Sequence, residues 1–342
     1  MFLAPMAVPV HAEENNIGIQ SEGVQTNKEE LQNFISRARE VSLEYSSSKI
    51  QTQDLISLPE VFNYTSVEGD TGYFYEKTSI DDKEFVATYP IEYNDMGQTD
   101  NISSDQAKLI APASDSIPGG IGGRATVQKN GSIGSFVIHL PASTSGPTAR
   151  TYIYSGFSGT GKDKSGLNSR TIETDMGMVY SNAYGVNKWH PIINYYWGSV
   201  GDGHTTPGNR ISPYNEVWYK NGYIPGRDVN VTIYRNLNNN TRLSTSGYAY
   251  YANHDGTGTN SYLTAVTEIP STYISSTTAW KYLATIADSV INDVSQGDAA
   301  GQITGSFSNI IIDSTAYTPV INSTDYANIT ISGNNVTVKV LK

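Results

Sequence analysis

Apolar and polar residues alternate along most of the second two-thirds of the chain. Phe136, Ile138 and Leu140 fall on one side of an extended segment, and Val229, Val231 and Ile233 repeat the pattern. A period of two marks a strand with one buried face. A dozen such runs are legible, at 125–129, 133–140, 150–155, 170–181, 191–197, 216–220, 229–235, 245–251, 262–269, 303–312, 327–332 and 336–341. Polar turns separate them, with little helical pattern between. This order predicts a mainly β fold, an antiparallel β-sandwich of the jelly-roll kind.

Two stretches keep a helical period instead. Trp280, Leu283, Ala284, Ala287, Ile291 and Val294 form an apolar stripe that predicts one helix inserted near 277–294, with the stripe serving packing. Near the start, Leu31, Phe34, Ile35 and Ala38 predict a second helix, capped by Thr26 with Glu29 or by Asn27 with Glu30. Strand-like runs at 72–76 and 84–93 follow it. The expected organisation is a signal-peptide remnant at 1–12, a small acidic α+β module or pro-segment at 13–95, a linker at 96–123 rich in Ser, Asp, Pro and Gly, and the sandwich at 124–342.

Charge sharpens that division. The 342 residues hold 22 Lys and Arg against 33 Asp and Glu, a formal net charge of −11, which argues against a nucleic-acid partner. The excess lies in 13–118, with 20 acidic and 7 basic residues, whereas all four Trp and 18 of the 24 Tyr lie beyond it. Charged residues are only 16%, against roughly 25% in ordinary soluble domains, and abundant Tyr and Gly take their place. That composition points to exposed β-structure in an extracellular protein. The first twelve residues, MFLAPMAVPVHA, read as the end of a secretory signal with a small-residue cleavage site at Ala12. No later apolar run is long enough for a membrane helix. A released protein, or one held non-covalently at the cell wall, is expected. Cysteine is absent, so disulfides and thiolate chemistry are excluded.

Candidate chemistry falls in a few places. The run from Gly156 to Lys162 matches GxxxxGK, but Asp163 stands where a phosphate loop needs Ser or Thr, so a polar inter-strand loop is the better reading. In 170–181, alternation sets Ile172, Thr174, Met176 and Met178 on one face and Glu173 and Asp175 on the other. Two carboxylates about 6.6 Å apart along a strand suit glycoside chemistry or recognition of sugar hydroxyls. Tyr214, Glu216 and Trp218 form an aromatic–carboxylate–aromatic stripe of the kind that stacks on a sugar. Trp189 and His190 are further candidate contacts. A structural calcium would take oxygen ligands from Asp202, Asp228, Asp255 and the run 236–240, although no EF-hand spacing occurs; no other cofactor is expected.

Glu173-x-Asp175 resembles the front of the ExDxxE strand motif of jelly-roll β-glucanases, with Met178 where the third carboxylate belongs. A looser likeness to glutamic peptidases of concanavalin A-like architecture lacks both catalytic residues, with Glu173 and Thr264 at those positions. The segments GGRATVQKNGSIG (122–134), TYIYSGF (151–157), ETDMGMVYS (173–181) and WHPIINYYW (189–197) resemble the YrpD-type family of secreted Bacillus proteins. That resemblance implies secretion and a Gram-positive source, without a mechanism. The functional expectation is a secreted protein that binds a polysaccharide or cell-wall glycan. The alternatives are a polysaccharide hydrolase or lyase using Glu173, Asp175 and Glu216, and a structural or toxin-like secreted protein.

Overall fold

The structure, a computed structural model, describes residues 17–21, 24, 27–48, 58–80, 83–91, 120–142, 150–162, 167, 169–182, 185–199, 210–215, 217–252, 257–287 and 300–342. These form a mainly β protein with one helix among the described residues. The N-terminal part contributes β1 (Ile17–Ser21), α1 (Lys28–Ser48), β2 (Glu60–Glu68), β3 (Thr71–Thr78) and β4 (Lys83–Pro90). Then come β5 (Gly120–Val127), β6 (Ile133–His139), β7 (Arg150–Lys162), β8 (Ser169–Ser181), β9 (Lys188–Ser199), β10 (Arg210–Ile211), β11 (Asn221–Tyr223), β12 (Asp228–Leu237) and β13 (Asn240–Ala252). The chain ends with β14 (Gly258–Ile269), β15 (Ser276–Ala287), β16 (Gln302–Ile312), β17 (Thr315–Ala316), β18 (Val320–Asp325), β19 (Ala327–Ser332) and β20 (Asn335–Leu341).

The strands pair in two runs. One is β1–β4–β3–β2–β14–β13–β12–β6–β16–β20–β19, and the other is β18–β5–β15–β7–β8–β9. Short β11 pairs with both β9 and β13 and joins the runs into one mixed sheet that does not close. The parallel pairs are β1 with β4 and β2 with β14; the others are antiparallel. Side chains of the two runs meet in one core. The Phe136 ring on β6 lies 5.5 Å from Tyr282 on β15, edge on, and Tyr282 lies 5.6 Å from Phe307 on β16. Trp280 packs so closely over Gly134 that a Cβ there would come within 2.5 Å of the indole.

The segment 276–287 corrects the expected helix. It is strand β15, held between β5 and β7. Trp280, Tyr282, Ala284 and Ile286 face the core, while Leu283 and Thr285 are buried on the opposite side. A strand covered on both faces reads as a continuous apolar run, and a 3-4 spacing drawn from such a run is ambiguous. Ile291 and Val294 lie outside the described residues.

The N-terminal strands extend the same sheet. β2 adds to β14 in parallel, Val61 beside Leu263, and Val61, Val67, Phe74 and Tyr89 join the shared core. Helix α1 is capped by Asn27, whose Oδ1 accepts the Glu29 N–H at 3.0 Å. It buries Phe34, Ile35, Ala38 and Val41 against Phe62, Tyr64, Tyr73, Tyr75 and Val266. Charge locks it there. Glu268, buried on β14, accepts hydrogen bonds from Arg242 Nε at 2.6 Å, the Tyr64 hydroxyl at 2.6 Å and Arg37 of the helix at 3.3 Å. The expected signal remnant and most of the expected linker lie outside the described residues.

Candidate functional site

β8 alternates as its sequence requires. Ile172, Thr174, Met176 and Met178 are buried in the core, and Glu173 and Asp175 turn to the outer side. There they meet Lys281, the one charged side chain of β15. Its Nζ lies 2.6 Å from Glu173 Oε1 and 2.7 Å from Asp175 Oδ1. The two acceptor oxygens therefore stand no farther apart than these two bonds laid end to end. The lysine side chain is 6% exposed, against 31% and 21% for the carboxylates. Burial works against its charge, but Asp175 and Glu173 outweigh that and raise its proton affinity. Half-buried Tyr154 and Tyr196 flank the cluster; burial, reinforced by Asp175, pushes the Tyr154 hydroxyl well above the usual phenol range.

β7 crosses between β15 and β8 at Gly156. This residue has a φ of 143°, and a Cβ there would meet the Thr174 carbonyl at 2.0 Å, so only glycine fits. The Thr174 hydroxyl accepts the neighbouring Phe157 N–H at 2.9 Å. The GxxxxGK match is thus the second half of a continuous strand, 156–162, in place of the polar loop read from the sequence.

The described residues of the second candidate stripe do not share an outer face. Residues 212–215 and 217–220 form no strand, because the Asn215 side chain accepts the Val217 N–H at 3.0 Å and closes a local turn. Alternation fails, and Trp218 is turned inward, 6% exposed, with its ring 5.9 Å from Phe85. Tyr214 is half-buried and packs on Tyr219 and His190 at 5.4 and 6.2 Å. Trp189 and His190 are fully buried, on opposite faces of β9: Trp189 in the core, His190 under the rings of Tyr214 and Tyr219. Burial, with Lys188 adding repulsion, depresses His190 to about 3, so its ring is neutral. These two residues are packing, not an open contact surface. Glu216, Asp202 and Asp255 lie outside the described residues.

Asp228 is exposed and sits 2.6 Å from His139 Nδ1, its register partner on β6. The run 236–240 makes the β12–β13 turn, with Asn238 and Asn239 at positive φ and Asn236 Oδ1 accepting the Asn239 N–H. Among the described residues no three His, Asp or Glu side chains converge as a metal set.

Trp218 does border a cleft of about 210 Å³. Phe85, Tyr251, Lys83, Lys220, Glu76 and Glu84 complete most of its wall. The Lys220 ammonium stands 5.8 Å over the Phe85 ring. Burial would raise the Glu84 carboxyl, but hydrogen bonds from Arg39 and Tyr75 hold it below its usual value. Behind the wall, buried Lys188 donates to the Lys220 carbonyl at 2.8 Å, and burial lowers it to about 8 against the pull of Glu76.

Sequence reasoning missed Lys281 and this cleft. Lys281 was legible as a lone charge between Trp280 and Tyr282, aimed away from both once the segment is strand. The cleft joins β3, β4, β13 and the 217–220 turn, and no local pattern announces that meeting.

A mainly β chain with a mixed, open sheet and a carboxylate–lysine cluster on its outer side is thus the class of protein defined. The chain belongs to the YrpD family: the family model described as "Domain of unknown function, YrpD" matches residues 114–340. It is 37% identical over 232 residues to Uncharacterized protein YrpD of Bacillus subtilis (strain 168), covering 68% of this chain and 86% of that protein. Among solved structures it is similar to scytalido-glutamic peptidase with a transition state analog inhibitor, at 11% identity and a TM-score of 0.32, over 64% of this chain and 97% of that one. It is also similar to SCP-B, a member of the Eqolisin family of peptidases in complex with the tripeptide Ala-Ile-His, at 10% identity and a TM-score of 0.32 over the same shares. No helix among the described residues is long and apolar enough to cross a membrane.

Proposed function

We propose that this chain is a secreted, cell-surface-associated protein of a Gram-positive bacterium, a concanavalin A-like β-sandwich that binds a polysaccharide or cell-wall glycan. The N-terminal apolar segment and the lack of cysteine support export from such a cell. The observation that carries the binding reading is the cleft beside Trp218. Phe85 and Tyr251 offer ring faces beside the buried Trp218, and Lys83 and Lys220 offer polar groups around them. The Trp218 indole N–H is buried without a hydrogen-bond partner. Rings stack on the apolar face of a pyranose, and charged groups satisfy its hydroxyls.

A hydrolase or lyase built on Glu173 and Asp175 is less well supported. Lys281 Nζ, 2.6 Å from Glu173 Oε1 and 2.7 Å from Asp175 Oδ1, occupies the space between the two carboxylates where a glycosidic oxygen would have to lie. Retention on insoluble cell-wall polysaccharide and on a glycan array tests the binding reading. Tyr251→Ala, in a half-buried residue at the rim, should weaken binding by about 1 kcal/mol or more while the fold persists. Failure of the wild-type protein to be retained on any glycan refutes it.

A further inference from the structure

The Glu173–Lys281–Asp175 cluster has a second chemical property, independent of the cleft. Lys281 and Asp175 stand on β15 and β8, with β7 between them. The lysine passes over β7 at Gly156, its register partner there, where no side chain obstructs it. Its nitrogen ends 2.7 Å from one carboxylate and 2.6 Å from a second. A buried ion pair is seldom a better source of stability than an apolar replacement. An amine and a carboxyl held in contact, with another carboxylate touching the same nitrogen, are also the reactants and the proton carrier of an amide-forming condensation.

We propose that Lys281 and Asp175 join as an intramolecular isopeptide bond between β15 and β8, with Glu173 as the proton carrier. The lysine ammonium first passes a proton to Glu173, which relays it to the Asp175 carboxylate. The free Nζ electron pair then attacks Asp175 Cγ, and the new C–N bond forms. Glu173 takes the surplus proton from nitrogen and returns it to the departing hydroxyl, so the C–O bond breaks and one water leaves. An ammonium and a carboxylate become a neutral amide, and Glu173 ends as it began. No oxidant or cofactor enters the balance.

Alignment favours the step. Effective molarities of well-aligned groups reach about 10⁵–10⁸ M, which lowers the barrier to forming the C–N bond. Each molecule reacts once, so a slow step suffices. The part-exposed Glu173 gives the released water a way out. The chain has no cysteine, and this bond would supply a covalent tie of another kind. It would also consume Asp175, removing it from any hydrolytic pair.

Intact-mass spectrometry of the purified full chain is the test, with peptide mapping of the linked strands. The expected mass is that of the chain less one water, with residues 281 and 175 in one branched peptide. Lys281→Arg and Glu173→Gln should each restore the full mass, and circular dichroism confirms that the variant is folded. Glu173→Gln keeps the shape of the site, so it decides the matter if Lys281→Arg fails to fold. A full-mass wild-type protein overturns the proposal. So does a water loss that survives Lys281→Arg, which would mark a succinimide elsewhere, or a link mapped to Glu173.

Discussion

Replacing Glu268 by Gln should unseat helix α1. The carboxylate is almost wholly buried and gathers Arg242, Arg37 and the Tyr64 hydroxyl, joining the helix to β13, β14 and β2. Removing one member of a buried pair costs about 3–5 kcal/mol, since the other charge is left uncompensated. Arg242 keeps a second partner, Glu44 at 3.0 Å, so the low end, about 3 kcal/mol, is expected at pH 7. The effect must fade with acid. Burial would raise the Glu268 carboxyl, yet Arg242, the Tyr64 hydroxyl and Arg37 together hold it below its ordinary value. A depressed carboxyl contributes its stability in full above the unfolded value of about 4.3 and loses it as pH falls through the folded value. Urea unfolding of wild type and Glu268→Gln, followed by tryptophan fluorescence, should show a constant gap from about pH 7 to pH 5 that narrows below pH 4. A gap under about 0.5 kcal/mol at pH 7, the size of an ordinary surface substitution, would refute the reasoning. So would one undiminished at the most acid pH at which the fold persists.

Trp280→Ala should cost about 3–5 kcal/mol in chemical denaturation, because the indole fills the space between Phe157 and Gly134. His190, depressed to about 3, should stay neutral in an NMR titration from pH 8 to roughly pH 5, and a midpoint near the unperturbed 6.5 would contradict its burial. Since the unfolded chain binds that proton first, His190 also lowers stability as pH falls below about 6.5. Gly156→Ala should destabilise by at least about 1–3 kcal/mol from backbone strain alone, read as a drop in the urea midpoint; a neutral result would mean that β7 takes another path there.

Legibility followed how many faces of a segment are covered. β6 and β12 alternate in sequence and pair side by side, Phe136 with Val231 and Ile138 with Val229. β8 was legible for the same reason, and so was the outward aim of Glu173 and Asp175. β15 was not, since its cover on both faces erased the alternation that separates strand from helix. Trp218 misled for a different reason. Its apparent alternation with Tyr214 depends on an extended backbone, and the Asn215 turn removes it. The N-terminal strands showed their aromatic content but not their destination. Pairing with β14 is written in no local pattern, and the sharp change of charge near residue 118 carries no information about it.

That pairing also constrains the order of folding. Val61 finds its neighbour Leu263 roughly 200 positions later in the chain, so β2 completes its hydrogen bonds only after a much later segment has been made. Until β14 is in place, β2 lacks its parallel partner, and Phe74, whose cover comes from the shared core, stays uncovered. The net negative charge of 13–118 opposes association of neighbouring chains through this segment. The early part of the chain therefore stays unlocked until a strand from its far end arrives.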